Sequence, residues 1–333
     1  MRPMADNPSS GPVELGKQTL HVTTVISVVI PMFNAEKTIL PAIKSVLKQT
    51  FIDYEIIVVD DCSTDRSWNQ VQALQDPRIR PFRAARNSGA AAARNLGMRH
   101  AQGEWIVFLD ADDQWDPRHL EVMMSCSNDN VFVAPSKLSC VPDANGWLRP
   151  LGVPAELGQE KVKALNRSSF AEALTREYFF TKRAFLEEHH ITFLETGGRG
   201  DCGGDWMYYV SKLLLAGANG CLALEPTYLY RVTGYHTSSS FEAIAQELKV
   251  VDLLSKEKGV PPEVRDSLAQ SIPRFRRRLN AAALRSRKWD QFFILLGGNP
   301  SNIIYVALAG MGFISRKLRH LLGRSGVRIA NDQ

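Results

Sequence analysis

Cysteine is scarce and scattered in this 333-residue chain: Cys62, Cys126, Cys140, Cys202 and Cys221 form no Cys-x-x-Cys pair and no histidine stands at zinc-finger spacing from them. An odd, dispersed set excludes a disulfide scaffold and a zinc ribbon, and suits the reducing, cytoplasmic side of a cell. Long hydrophobic runs are also missing. No stretch reaches the roughly 18 to 20 uninterrupted apolar residues of a membrane span. Residues 1 to 24 hold no apolar signal-peptide core and read as a flexible arm. Glycine is absent where two common nucleotide folds need it. No Gly-x-Gly-x-x-Gly follows the first predicted strand and no Walker loop occurs, which argues against a dinucleotide dehydrogenase and an ordinary ATPase.

What is present is an ordinary globular balance, 44% hydrophobic and 23% charged, which excludes a disordered chain. The net charge of +5 is unevenly spread: residues 271 to 333 carry 12 Lys and Arg against Asp290 and Asp332, so the remainder is acidic. Within that basic tail lie apolar stretches at 291 to 296 and 303 to 314, the second followed at once by Arg316, Lys317 and Arg319. Two readings stand level. One is an interfacial anchor on anionic lipid, and the other a solvated basic helix packing its apolar face on the main domain. No nucleic-acid partner is expected, because the tail shows no zinc or recognition-helix pattern.

The first 110 residues alternate short β-rich runs with amphipathic segments, which predicts an α/β fold of parallel strands joined by crossover helices. Strands are expected at 25 to 30, ended by Pro31, at 54 to 59, near 79 to 82, and at 105 to 109. Helical spacing links Ile39, Ile43, Val46 and Leu47, with Pro41 tolerable only in the first turn. Three strands end in polar loops, at Pro31 to Glu36, at Asp60-Asp61 and at Asp110 to Asp113. Ligands of open α/β sheets lie beyond such strand ends, and carboxylates suit a hard divalent cation carrying phosphate. Further on, Trp206, Tyr209, Val210, Leu213 and Leu214 have helical spacing behind Asp205. Helices are expected at 241 to 256 and from Pro261-Pro262 to Leu284.

Five segments in order, ISVVIPMFNAEKTI at 26 to 39, SVLKQTF at 45 to 51, YEIIVVDDCSTD at 54 to 65, NSGAAAARNLGM at 87 to 98 and GEWIVFLDADD at 103 to 113, resemble the family 2 glycosyltransferases. The match is specific over 25 to 116, weaker from 117 to 240 and absent after 241. The resemblance implies a GT-A fold with a Rossmann-like, mostly parallel central sheet. It divides residues 25 to 240 into a nucleotide-sugar half, 25 to 116, and an acceptor half, 117 to 240, followed by a helical basic region, 241 to 333. It implies that Pro31, Phe33, Asn34 and Glu36 line the base pocket. Asp61 bonds the edge of uracil or another base, and Asn87 and Arg94 face phosphate or ribose. Asp110 and Ala111 belong to the donor site, with Asp110 also near the metal. Asp112 coordinates Mg2+ or Mn2+, and His236 is a further ligand or diphosphate contact.

The family's catalytic base falls on Asp205, where Gly204 replaces the usual glutamate, with Asp201 as the fallback. The plainer reading of each residue stays beside these roles. Asp60 and Asp61 would cap the following turn, Arg94 would be a surface helix arginine, Asp205 an N-cap and His236 an exposed loop histidine. Asp113 receives no role. The implied activity is metal-dependent, inverting transfer of a sugar from a nucleoside diphosphate sugar, UDP-linked, to a hydroxyl of a glycan or lipid-linked glycan. The setting would be surface-polysaccharide synthesis, cytoplasmic or peripheral on the inner membrane face. A nucleotidyltransferase and a non-catalytic nucleotide-sugar-binding protein are the alternatives. The first lacks its basic Gly-rich phosphate loop; the second is made conceivable by Gly204.

Overall fold

A computed structural model describes residues 25–152, 160–195, 204–232 and 241–285. Four β-strands, β1 (Ile26–Met32), β2 (Tyr54–Asp60), β3 (Ile79–Arg83) and β4 (Trp105–Phe108), pair in parallel in the order β3-β2-β1-β4. Every residue of β1, β2 and β4 is buried. That is why their sequences run as unbroken apolar stretches rather than alternating. Strand β1 continues through Pro31 to Met32, two residues past its expected end; Pro31 stands opposite Val59 and is tolerated near the strand terminus.

The crossovers are α1 (Ile39–Leu47), α2 (Ser67–Gln72) and α3 (Ala90–His100). Helix α1 buries Ile39, Ala42, Ile43 and Val46 and carries Pro41 in its first turn. Helix α3 is built from small residues, and this sets its height above the sheet. A Cβ on Gly97 would lie 2.3 Å from Cγ1 of Val29, so the helix backbone rests almost directly on β1. Close approach places Arg94, a residue usually found at the surface, 1% exposed beneath the helix.

From β4 the sheet continues without a break into the second half. Strands β5 (Gln114–Trp115), β6 (Phe132–Pro142), β7 (Leu148–Pro150), β8 (Val162–Leu165), β9 (Phe180–Lys182) and β10 (Gly220–Arg231) extend it to ten strands. The added part is mixed. β9 lies antiparallel between β4 and β6, β6 and β10 are parallel, and β5, β7 and β8 attach antiparallel. Parallel pairing is therefore complete only among the first four strands. The central path runs to β5, and β5 at 114 to 115 pairs with β10, so one sheet spans both halves.

Helix α4 (His119–Ser125) packs against β10, short helix α5 (Phe170–Ala173) against β8 and α6 (Arg183–Glu188) against β9. Helix α7 (Gly204–Leu215) packs beside the end of β4 through an aromatic knot: Phe108 meets Phe193, Trp206 and Tyr209 edge-on at 5.2, 5.4 and 6.2 Å between centroids. Contacts of this kind contribute about 0.5–1.5 kcal/mol each beyond area burial and have a preferred geometry, so they fix where the first turn of α7 lies. Helices α8 (Phe241–Lys256) and α9 (Pro262–Arg285) follow at the expected places and pack on one another through Ile244, Leu279 and Ala282. The arm at 1–24 and the tail at 286–333 lie outside the described residues, as do Asp201 and His236. Among the described residues no helix is long and apolar enough to cross a membrane, and Cys62, Cys126, Cys140 and Cys221 are free thiols.

Candidate functional site

The loops after β1, β2, β3 and β4 meet at one edge of the sheet and are laced together by side chains. The loop after β1 docks on the loop after β2. The amide of Asn34 donates to Ser63 Oγ at 2.9 Å, that of Ala35 to Ser67 Oγ at 2.7 Å, and that of Glu36 to an Asp65 oxygen at 3.0 Å. In return Asn34 Oδ1 accepts from the Thr64 amide at 2.8 Å and Glu36 Oε2 from the Arg66 amide at 3.3 Å. Asn34 holds a left-handed backbone, φ +49°, which asparagine tolerates. Phe33 beside it is exposed, an aromatic face on the rim.

Asp61 is buried, and both of its carboxylate oxygens are taken: the amides of Ser88 and Gly89 donate to them at 2.8 Å each. Asn87 completes the clamp by donating Nδ2 to the Asp61 carbonyl at 2.9 Å. The residue expected to read a base edge is thus tied to the entrance of α3, which opens at Gly89 with φ +90°. Asn87, expected to face phosphate, is part of the same clamp. Burial raises the Asp61 carboxyl, and the two amides oppose that by bonding to its charged form. Asp60, rather than Asp61, caps the turn, accepting from the Ser63 amide at 3.1 Å, and it also pairs with Arg83. Pro31 is buried inside β1.

The largest departure from the sequence reading concerns Arg94. It is buried. Its Nη1 donates to Asp205 Oδ2 at 2.6 Å and its Nη2 to Asp110 Oδ1 at 2.7 Å, with its guanidinium 4.9 Å from the Trp206 ring centre. A planar fork suits two carboxylates at once. Asp205 comes from the first turn of α7 and Asp110 from the end of β4, so the arginine joins the two halves of the chain. The Asp205 side chain is 6% exposed, and its other oxygen accepts from the amide of the next residue, Trp206, at 2.9 Å in the first turn of α7. Burial raises the Asp205 carboxyl, while Arg94 pulls it down.

In the acidic loop the three carboxylates separate by environment. The Asp110 side chain is 26% exposed and holds Arg94 with Oδ1 while Oδ2 accepts from the Tyr178 phenol at 3.0 Å. Ala111 is buried. Asp113 is buried too, accepting from the Tyr228 phenol at 3.0 Å and the Arg231 amide at 2.7 Å. Burial, then Asp112, drive its carboxyl well above the usual range. Asp112 is exposed. Partial desolvation, then the charge of Asp110, push its carboxyl up to about 6. Arg231 Nε donates to the Asp112 carbonyl at 2.7 Å and steadies its backbone.

Two hard oxygen donors two residues apart, one of them a carboxyl that resists ionising beside the other, fit a divalent cation that takes its remaining ligands from diphosphate and water. Among the described residues no group of three or more His, Cys, Asp or Glu forms a protein-only metal site. Tyr178 and Tyr228 have no counterpart in the sequence reading, and Asp113 and Arg231 are given no role there. Tyr228 and Arg231 lie in β10, where paired side-chain spacing gives no hint of the distant loop they hold. Tyr178 stands in the stretch where motif similarity fades, and its φ of +63° is strain costing about 1–3 kcal/mol that only a structure displays.

Similarity to known proteins agrees with this geometry. The Escherichia coli UDP-Glc:alpha-D-GlcNAc-diphosphoundecaprenol beta-1,3-glucosyltransferase WfgD is 42% identical over 192 residues, 52% of this chain and 74% of that one. The putative colanic acid biosynthesis glycosyl transferase WcaA of Escherichia coli K12 is 46% identical over 105 residues, 30% of this chain, and the match spans only 37% of WcaA. The succinoglycan biosynthesis protein ExoO of Rhizobium meliloti is 32% identical over 216 residues, 62% of this chain and 60% of ExoO. In three dimensions the chain resembles S. aureus TarS 1-349 in complex with UDP-GlcNAc, with TM-score 0.62 and 20% identity over 82% of this chain and 80% of that one, a likeness of fold. The sequence profile described as Glycosyl transferase family 2 matches residues 27–195, half of the chain and all four loops of the crevice, and on that match the protein belongs to glycosyl transferase family 2.

Proposed function

We propose that the crevice binds a nucleoside diphosphate sugar, UDP-linked, and transfers the sugar with inversion to a hydroxyl of a glycan or lipid-linked glycan during surface-polysaccharide synthesis. The Arg94 bridge is the observation that carries this reading. It holds the acidic loop on the donor side and the Asp205 carboxylate on the acceptor side within one guanidinium of each other. A leaving diphosphate and an incoming hydroxyl need such neighbours on opposite sides of one anomeric carbon.

Asp112, with Asp110 behind it, is the group that would hold Mg2+ or Mn2+, and the cation when bound neutralises charge gathering on the departing diphosphate. Phe33 offers a ring for the base. Asn34, Glu36 and Asp61 keep the base loops in shape through the backbone bonds they accept. Asp205 takes the proton of the acceptor hydroxyl. Its two oxygens have four lone-pair sites, and the bonds from Arg94 and Trp206 leave capacity for one more donor. Burial makes it a stronger base, and Arg94 keeps it ionised. The hydroxyl oxygen then attacks the sugar carbon opposite the diphosphate, with no covalent enzyme intermediate. On α9 the exposed Arg274, Arg276, Arg277 and Arg278 suit a peripheral position on anionic lipid at the inner membrane face.

Asp205→Asn is expected to lower kcat by roughly 10²- to 10⁴-fold, the share usual for a general base, while calorimetric binding of UDP with Mn2+ stays within about twofold. Transfer at near-normal rate by this variant would remove Asp205 from the role. A product of retained anomeric configuration would exclude direct displacement.

A further inference from the structure

The geometry points to Tyr178 as a positioning residue that fixes the Asp110 carboxylate and so holds Asp112 ready for the metal-bound diphosphate. The inference rests on the donor-site reading given above. Asp110 has two oxygens, and each is held from a different half of the chain: Oδ1 by Arg94 of α3, Oδ2 by the phenol of Tyr178, which lies just before β9. With both held, the carboxylate plane cannot turn about its Cβ bond.

Backbone conformation supplies an independent argument. Tyr178 is a bulky residue in the left-handed region, φ +63°, a place that asparagine or glycine would occupy at less cost. Such strain persists only where the surroundings over-determine it, and it clusters at ligand clamps. The surroundings here are explicit. The Tyr178 ring stacks on Tyr228 at 4.2 Å with 21° between planes and lies 5.4 Å from Trp206. Lys137 Nζ, paired with Glu177 at 2.6 Å, stands 5.1 Å over its outer side.

The stacked partner does matching work on the same loop. Tyr228 accepts from the Asp110 amide at 3.3 Å and donates to Asp113 Oδ2 at 3.0 Å. Two stacked phenols therefore grip both ends of the acidic loop, Tyr178 the side chain of Asp110 and Tyr228 its backbone together with Asp113. Arg231 closes the grip through the Asp112 carbonyl. Asp112 is left as the exposed carboxylate on a loop held from three sides. Tyr228 also buttresses buried Asp113, so its loss would disturb the fold. Tyr178 removes from solvent only one oxygen of a carboxylate that is still partly exposed, and its hydroxyl can be deleted with the ring stack intact.

Calorimetry of UDP binding with and without Mn2+, on wild type, Tyr178→Phe and Asp112→Asn, together with thermal unfolding, tests this. Wild type should bind UDP more tightly with Mn2+ than without. Tyr178→Phe should weaken binding with Mn2+ roughly tenfold, leave metal-free binding unchanged, and still unfold in one cooperative transition. An undiminished Mn2+ effect in Tyr178→Phe, when Asp112→Asn abolishes it, would overturn the Tyr178 inference alone. A Mn2+ effect missing in wild type or preserved in Asp112→Asn would overturn the donor-site reading beneath it. Equal loss of binding with and without metal, or failure of Tyr178→Phe to fold, would assign the tyrosine to structure instead.

Discussion

Asp112→Asn is expected to lower kcat by roughly two to three orders of magnitude, the cost of removing one group aimed at developing transition-state charge, with the fold unchanged. The loop owes its shape to other residues: Asp113 is anchored to Tyr228 and Arg231, and Asp110 to Arg94 and Tyr178. Asp112 contributes an exposed carboxylate whose pKa is pushed up to about 6 by partial desolvation and by Asp110, a cost to the free protein that a bound cation would relieve. Asparagine keeps the size, removes the charge and relieves the repulsion, so stability should hold or rise slightly. Steady-state transfer kinetics with Mn2+ and a thermal scan give the two numbers. Activity near wild type would mean that the diphosphate charge is met elsewhere.

The second large effect is on stability. Arg94→Met should destabilise the protein by about 3–5 kcal/mol at pH 7, the usual consequence of leaving a buried partner charge uncompensated. Asp205 bears most of this, because its side chain is 6% exposed whereas that of Asp110 is 26% exposed and can be hydrated. The pH dependence has a definite sign. In wild type, burial already raises the Asp205 carboxyl and Arg94 is the main opposing influence. Without Arg94 the folded-state pKa rises further above the unfolded value near 3.9, so the folded variant binds a proton that the unfolded chain does not. Stability of the variant is then greatest at acidic pH and is lost as pH rises through the folded pKa. Denaturant unfolding at pH 7 and pH 5 should show the deficit shrinking at the lower pH. A deficit under about 1 kcal/mol at pH 7, or one that grows on acidification, would contradict a buried ion pair here.

Arg94 also marks where reading the sequence stops. The run of alanines around it suits a helix, and α3 is there. How close is decided by Gly97 meeting Val29, a contact between residues 68 positions apart, and that contact turns a surface arginine into a buried bridge. Asp61 is a similar case. Its place at the end of a buried strand was legible, but whether its oxygens face a ligand or the Ser88 and Gly89 amides depends on the path of a loop 27 residues later. Asp113 looked idle because its partners, Tyr228 and Arg231, lie more than a hundred residues away.

Sequence by itself determined the four parallel strands of the first half, the helices at 241–256 and beyond Pro261, and the set of loops that meet at one sheet edge. These follow from periodicity and strand order, which are local properties of the chain. Tertiary structure alone decided the mixed sheet of the second half, the Arg94 bridge and the tyrosine grip on the acidic loop. Each of these joins side chains from distant strands and helices. Such contacts are set by packing distance and burial, which no spacing within one segment encodes.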